Sequence, residues 1–118
     1  MREIIFYQDR HGNQPVLDYI QELEKRKDKD SHIKLDKILK YIDMLLQKGK
    51  LAGEPYIKHI EGEIWELRPI KDRIFFATWN EDKFIMLHHF IKKTQKTPPE
   101  EIDHAKRALA DFRRRVKK

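Results

Sequence analysis

Apolar residues fall along this chain at two spacings, and each spacing predicts a different kind of element. Glu3-Ile4-Ile5-Phe6-Tyr7 is β-branched and aromatic and predicts a short strand, closed by a turn at His11-Gly12-Asn13. Val16, Leu17, Ile20 and Leu23 then recur at helical spacing. Pro15 stands just ahead of them and suits the first turn of a helix, where its missing N–H costs nothing. The all-charged run Glu24 to Asp30 interrupts the pattern and predicts a linking turn. Ser31 is expected to cap a second helix, with Leu35, Ile38, Leu39, Ile42, Leu45 and Leu46 as its apolar stripe and Lys48-Gly49 as its stop. Gly49 to Gly62, punctuated by Gly53 and Pro55, predicts a connector.

The spacing then changes to two. In Ile64-Trp65-Glu66-Leu67-Arg68, Trp65 and Leu67 point one way and Ile64, Glu66 and Arg68 the other. Pro69 to Asp72 forms a tight turn, Arg73 to Trp79 a second strand, Asn80 to Asp82 another turn and Phe84 to Ile91 a third strand, which together predict an antiparallel meander. Thr97, with Glu100 three residues later, predicts a capping box opening a last helix whose stripe is Ile102, Ala105, Leu109, Phe112 and Val116. The order β-α-α-β-β-β-α belongs to the α+β class, as one domain over residues 1–118.

Composition narrows the chemistry. The 118 residues include no cysteine, which excludes a disulfide scaffold, thiol catalysis and a cysteine-based zinc site. Apolar and charged residues each make up 39%, so the core must be economical, while 10% aromatic residues argue against disorder. No apolar run approaches the ~18 residues of a membrane helix, and the first residues carry no signal-peptide pattern, so a soluble cytoplasmic protein without membrane partners is expected. The formal net charge is +6. Residues 1–90 balance, and the whole excess lies in residues 91–118. A basic block of that kind invites an anionic partner, nucleic acid first.

Arg68 closes one strand of the meander and Arg73 opens the next, so a short turn brings them close. Taken alone they read as surface arginines, one paired to Glu66. Lys92, Lys93 and Lys96 leave the sheet just before the last helix, where lysines can meet phosphates as point charges. His88 and His89 are neighbours on a strand and point to opposite faces, so they do not converge on one metal, and no metal or cofactor is expected. No cluster of carboxylates stands ready to hold catalytic ions. A nuclease built on this chain would stabilise phosphodiester charge with basic groups.

These segments together resemble a known family. Ile64-Trp-Glu-Leu-Arg68-Pro, Arg73-Ile-Phe-Phe and Leu87-His88-His89-Phe90-Ile91-Lys92-Lys93-Thr-Gln-Lys96-Thr97-Pro98 are similar to the HigB-type, phage-derived Gp49-like toxins of the RelE/ParE superfamily. The resemblance is strong from about Ile64 to Phe112 and looser before. It implies a RelE-like fold, a twisted antiparallel sheet flanked by helices. It also implies a toxin of a type II toxin–antitoxin pair, a ribosome-dependent mRNA endonuclease that needs no metal. Its implied partners are the ribosome and mRNA, a helix-turn-helix antitoxin of HigA type, and operator DNA only through the toxin–antitoxin complex. By motif, Arg68, Arg73 and Lys93 fall on catalytic positions, and Lys92, Lys96 and His88 on RNA-binding ones. RelE-like enzymes often add a tyrosine near the C-terminus. This chain has none after Tyr56, which leaves Tyr7, His88 or Glu66 to move the proton. A ParE-like gyrase inhibitor and a basic RNA-binding module without turnover are the alternatives.

Overall fold

A computed structural model describes residues 2–116. Strand β1 (Glu3–Phe6) is followed by helices α1 (Pro15–Lys25) and α2 (Lys29–Lys48), a 3-10 turn (Gly49–Ala52), strands β2 (Ile57–Glu61), β3 (Ile64–Leu67), β4 (Asp72–Trp79) and β5 (Lys83–Ile91), and helix α3 (Pro99–Val116). The strands form one sheet in the order β1-β5-β4-β3-β2. All neighbours are antiparallel except β1 and β5, which run parallel with Phe6 opposite Met86. The class is α+β, as expected, with helices on both faces. Among the described residues no helix is long and apolar enough to cross a membrane.

The sheet separates two cores. On one face α1 and α2 pack Val16, Ile20, Leu23, Ile38, Ile42 and Leu45 against Leu67, Ile74, Phe76 and Met86. On the other, α3 packs Ala105, Ala108 and Leu109 against Ile64, Phe75, Ala77, Ile85 and Leu87. Alternation along β3 divides the residues as its pattern predicts, with Trp65 and Leu67 on the α1–α2 side and Ile64 on the α3 side. Between Phe75 and Phe76 the β4–β5 register shifts, so that Phe75 faces His88 while Phe76 faces Met86. The extra residue, Leu87, thereby joins His88 on the α3 side.

Four expectations need correction. The connector contains a strand, β2, whose residues pair with β3 (Ile57 with Leu67, Lys58 with Glu66). Its glycines and proline obscured a short, mostly exposed edge strand that owes its order to that pairing. Asp28, not Ser31, caps α2: its carboxylate accepts the Ser31 N–H at 2.9 Å, and the Ser31 hydroxyl also bonds to it at 2.9 Å. Thr97 forms no capping box: the helix starts at Pro99, and the Thr97 hydroxyl makes no hydrogen bond among the described residues. Leu39 and Val116 are exposed and drop out of their stripes. The stop at Gly49 is as predicted. Its φ of +59° suits glycine, its N–H bonds back to Leu45, and Arg2 donates to the carbonyls of Leu46 and Gln47 above it.

Candidate active site

The β3–β4 hairpin builds the site from a turn of four residues. The Asp72 N–H bonds to the Pro69 carbonyl at 3.0 Å, and Ile70 takes a φ of +56°. That tight return places Glu66 opposite Phe75, on the α3 face of the sheet. Arg68 and Arg73 are each two residues from those partners and lean over the same face. Their Nε atoms approach one oxygen, Glu66 Oε1, at 3.4 Å from Arg68 and 3.8 Å from Arg73. The Glu66 side chain is 1% exposed, that of Arg73 11% and that of Arg68 23%. Arg73 is further fixed by its Nη1, which donates to the carbonyls of Ile70 and Asp72, each at 2.8 Å. Arg68 also lies 3.8 Å from Glu54 across the surface.

The electrostatics follow from crowding. Burial raises the Glu66 pKa above its ordinary value, while Arg73, Lys92, Arg68 and Lys58 pull it down. Burial lowers the Arg73 pKa, with Glu66 opposing and Arg68 adding to the effect. Burial also lowers the Lys92 pKa, against the pull of Glu66 and with the push of Arg73 and Arg68. Glu66 Oε2 and the Nε atoms of both arginines are buried without a hydrogen bond. One carboxylate therefore gathers several cations without satisfying them, which leaves a net positive charge at the strand ends.

Of the residues named from sequence, Arg68, Arg73 and Lys92 come together here. Lys93 and Lys96 are exposed, and their side chains make no hydrogen bond or ion pair among the described residues. His88 lies elsewhere on the α3 face. Its Nε2 is 2.6 Å from Glu101, its ring is 4.8 Å from that of His104, and burial lowers its pKa. His89 does take the opposite face, where it stacks on Tyr19 at 3.7 Å and meets Asp72 at 2.9 Å. Tyr7, just after β1 and so three strands away from β3 in the sheet, donates to Asp111 at 2.6 Å. Burial and that carboxylate push its pKa up to about 12. Glu66, one of three residues named for proton transfer, is thus the one that stands between the arginines.

Lys58 is the contributor that sequence reasoning missed. It is the cross-strand partner of Glu66, and recognising β2 as a strand was the only route to it. The basic end divides: Arg113 pairs with Glu63, Arg114 and Arg115 pair with Asp111, and Lys117 and Lys118 lie outside the described residues. Among the described residues no three His, Asp or Glu side chains are grouped to hold a metal ion.

A family model described as "Phage derived protein Gp49-like (DUF891)" matches residues 16–110. The match spans Val16 to Ala110 and so contains every residue of the arginine site, while β1 and the loop after it lie before its start. A search of curated proteins returned no significant match.

Proposed function

The chain belongs to the phage-derived Gp49-like family, which supports a toxin, and on that premise we propose that it is a ribosome-dependent mRNA endonuclease. The observation that carries this reading is the convergence of Arg68, Arg73 and Lys92 around the buried Glu66. In the proposed reaction the RNA's own 2′-hydroxyl attacks the adjacent phosphorus as its proton passes to a base. The P–O5′ bond breaks, the departing 5′-oxygen gains a proton, and a 2′,3′-cyclic phosphate remains. Guanidinium groups held at the strand ends stabilise the charge that develops on the equatorial oxygens. Arg73 suits this role, since its Nη1 is committed to two carbonyls that fix the guanidinium in place. Lys92 adds a point charge on the same side, and Lys93 and Lys96 extend the basic track along the exit segment.

The proposed partners are the ribosome with its mRNA and a helix-turn-helix antitoxin. Operator DNA is contacted only through the toxin–antitoxin complex, and the site of action is the cytoplasm. Primer extension on a defined, translated message tests the reading. Codon-aligned cuts that need ribosomes, and that vanish with Arg73→Ala and Arg68→Ala in a folded protein, are expected. Cuts that persist in the double variant overturn the site. Growth arrest with a DNA-damage response and intact message overturns the activity.

A further inference from the structure

A second basic feature lies away from the arginine pair. Between the loop that follows β1 and helix α3 runs a cleft of about 580 Å³, floored by Tyr7, Leu87 and His88. That volume is within the ~300–1,000 Å³ range of small-ligand sites. Arg10 and His11 reach it from the loop, and His104 and Arg107 from the helix.

The two carboxylates near the cleft are already occupied. Asp9 accepts the N–H groups of His11 and Asn13, both at 2.9 Å, and the Asn13 amide. Asp111 accepts from Tyr7, Arg114 and Arg115. On α3, Lys106 pairs with Glu61, Arg113 with Glu63, and Arg114 and Arg115 with Asp111. Arg107 is the exception: exposed and lining the cleft, it has neither hydrogen bond nor ion pair among the described residues. Arg10 faces the same space and is likewise unpaired. In a chain this rich in carboxylates, two spare guanidinium groups on opposite walls of one cleft mark a place for an external anion. The imidazoles of His88 and His104, 4.8 Å apart, supply flat faces beside it. Phosphate charge and stacking together describe a nucleotide.

We propose that this cleft binds one nucleotide of single-stranded RNA, its phosphate held between Arg10 and Arg107 and its base set against His104 and His88. The inference rests on the protein acting on RNA. It adds a binding site on the loop after β1, on β5 and on α3, distinct from the arginine pair at the β3–β4 hairpin, and part of it lies before the first residue of the family match.

The test uses the full chain with Arg73→Ala as the parent and a 2′-O-methyl oligoribonucleotide as the probe, read by fluorescence anisotropy over a salt series. Adding Arg10→Ala and Arg107→Ala is expected to weaken binding by about ten-fold. It should also reduce the slope of log K against log salt by about 0.7, for the one phosphate that the two arginines share. Arg10→Lys with Arg107→Lys should restore most of the slope, which guards against a folding artefact. In a second arm, 5′-AMP should shift the imidazole NMR signals of His104 and His88 while inorganic phosphate leaves them in place. Equal effects of the two mean that only a phosphate is held and overturn the nucleotide assignment. A parent that binds no RNA overturns the cleft as an RNA site, while the functional reading itself falls only if primer extension shows no ribosome-dependent cuts by the wild type. A parent that binds RNA equally with and without the two arginines overturns the cleft alone, as does a double variant that loses only the antitoxin.

Discussion

The Glu66 carboxylate stands 3.8 Å from the Nε of Arg73, and no hydrogen bond joins them. The contact is electrostatic, made across a hairpin whose register places Glu66 over the strand that Arg73 begins. Burial and the surrounding cations act on this carboxylate in opposite senses. Its pKa is raised overall, so desolvation outweighs the pull of Arg73, Lys92, Arg68 and Lys58.

That balance predicts a separation of stability from activity. Glu66→Gln keeps the shape and removes a charge that the fold does not favour, so the melting temperature at neutral pH should hold or rise. The arginines lose the charge that gathers them, and a displacement of ~1 Å at a reacting centre costs about 100-fold in rate. The pH dependence has a definite sign. Because the folded pKa lies above the ordinary 4.5, stabilisation by Glu66 is complete below 4.5 and is lost as pH rises through the folded value. Thermal melts from pH 4 upward should show this decline in the parent and a flatter curve in Glu66→Gln. Parallel curves would sink the assignment.

The two lysines at the end of β5 should behave differently. Lys92 interacts with Glu66, Arg73 and Arg68, whereas Lys93 is exposed and has no partner among the described residues. Lys92→Ala should reduce cleavage by at least about ten-fold, a loss of about 1.4 kcal/mol of transition-state stabilisation. Lys93→Ala should cost less and act through RNA affinity, with a smaller salt slope. Single-turnover cleavage at saturating ribosomes distinguishes them. A larger loss of rate with Lys93→Ala would return the catalytic role to that residue.

On the opposite face, Asp72 is 1% exposed, and its Oδ1 accepts from Tyr19 at 2.8 Å and meets His89 at 2.9 Å. Burial raises its pKa, but the hydrogen bonds from His89 and Tyr19, with the charges of His89 and Lys34, outweigh burial and hold it below the usual 3.8. Its stabilisation is therefore present above 3.8 and lost as pH falls through the lower folded value. Tyr19→Phe should cost about 1.5 kcal/mol at neutral pH, in the range for a hydrogen bond to a charged group, and should move acid unfolding to higher pH. Urea denaturation at neutral and acid pH measures both. Unchanged stability and an unchanged acid midpoint would show that the network contributes nothing.

Much of this was legible in the chain. The stripes of α1 and α2 and the alternation in β3 are periodic, and periodicity reports which side of an element meets the core. Arg68 and Arg73 were found because a four-residue turn fixes the distance between strand ends whatever the rest of the fold does. Glu66 was visible as their neighbour but not as the buried point they share. Its burial depends on Phe75 opposite it and on α3 covering the sheet, and neither is local.

Other features belong to tertiary structure alone. β2 has little signal of its own and becomes a strand by pairing with β3, so Lys58 could not be placed beside Glu66 in advance. The parallel pairing of β1 with β5 joins residues eighty positions apart, and no turn chemistry encodes it. The sequence by itself determined every element but β2, the charge-rich surface and the hairpin with its two arginines, because these follow from periods and turns of a few residues. Only the folded chain decided which lysine joins them, where His88 goes, and that Arg10 and Arg107 face one cleft. Those relations depend on which distant segments the sheet and α3 bring together.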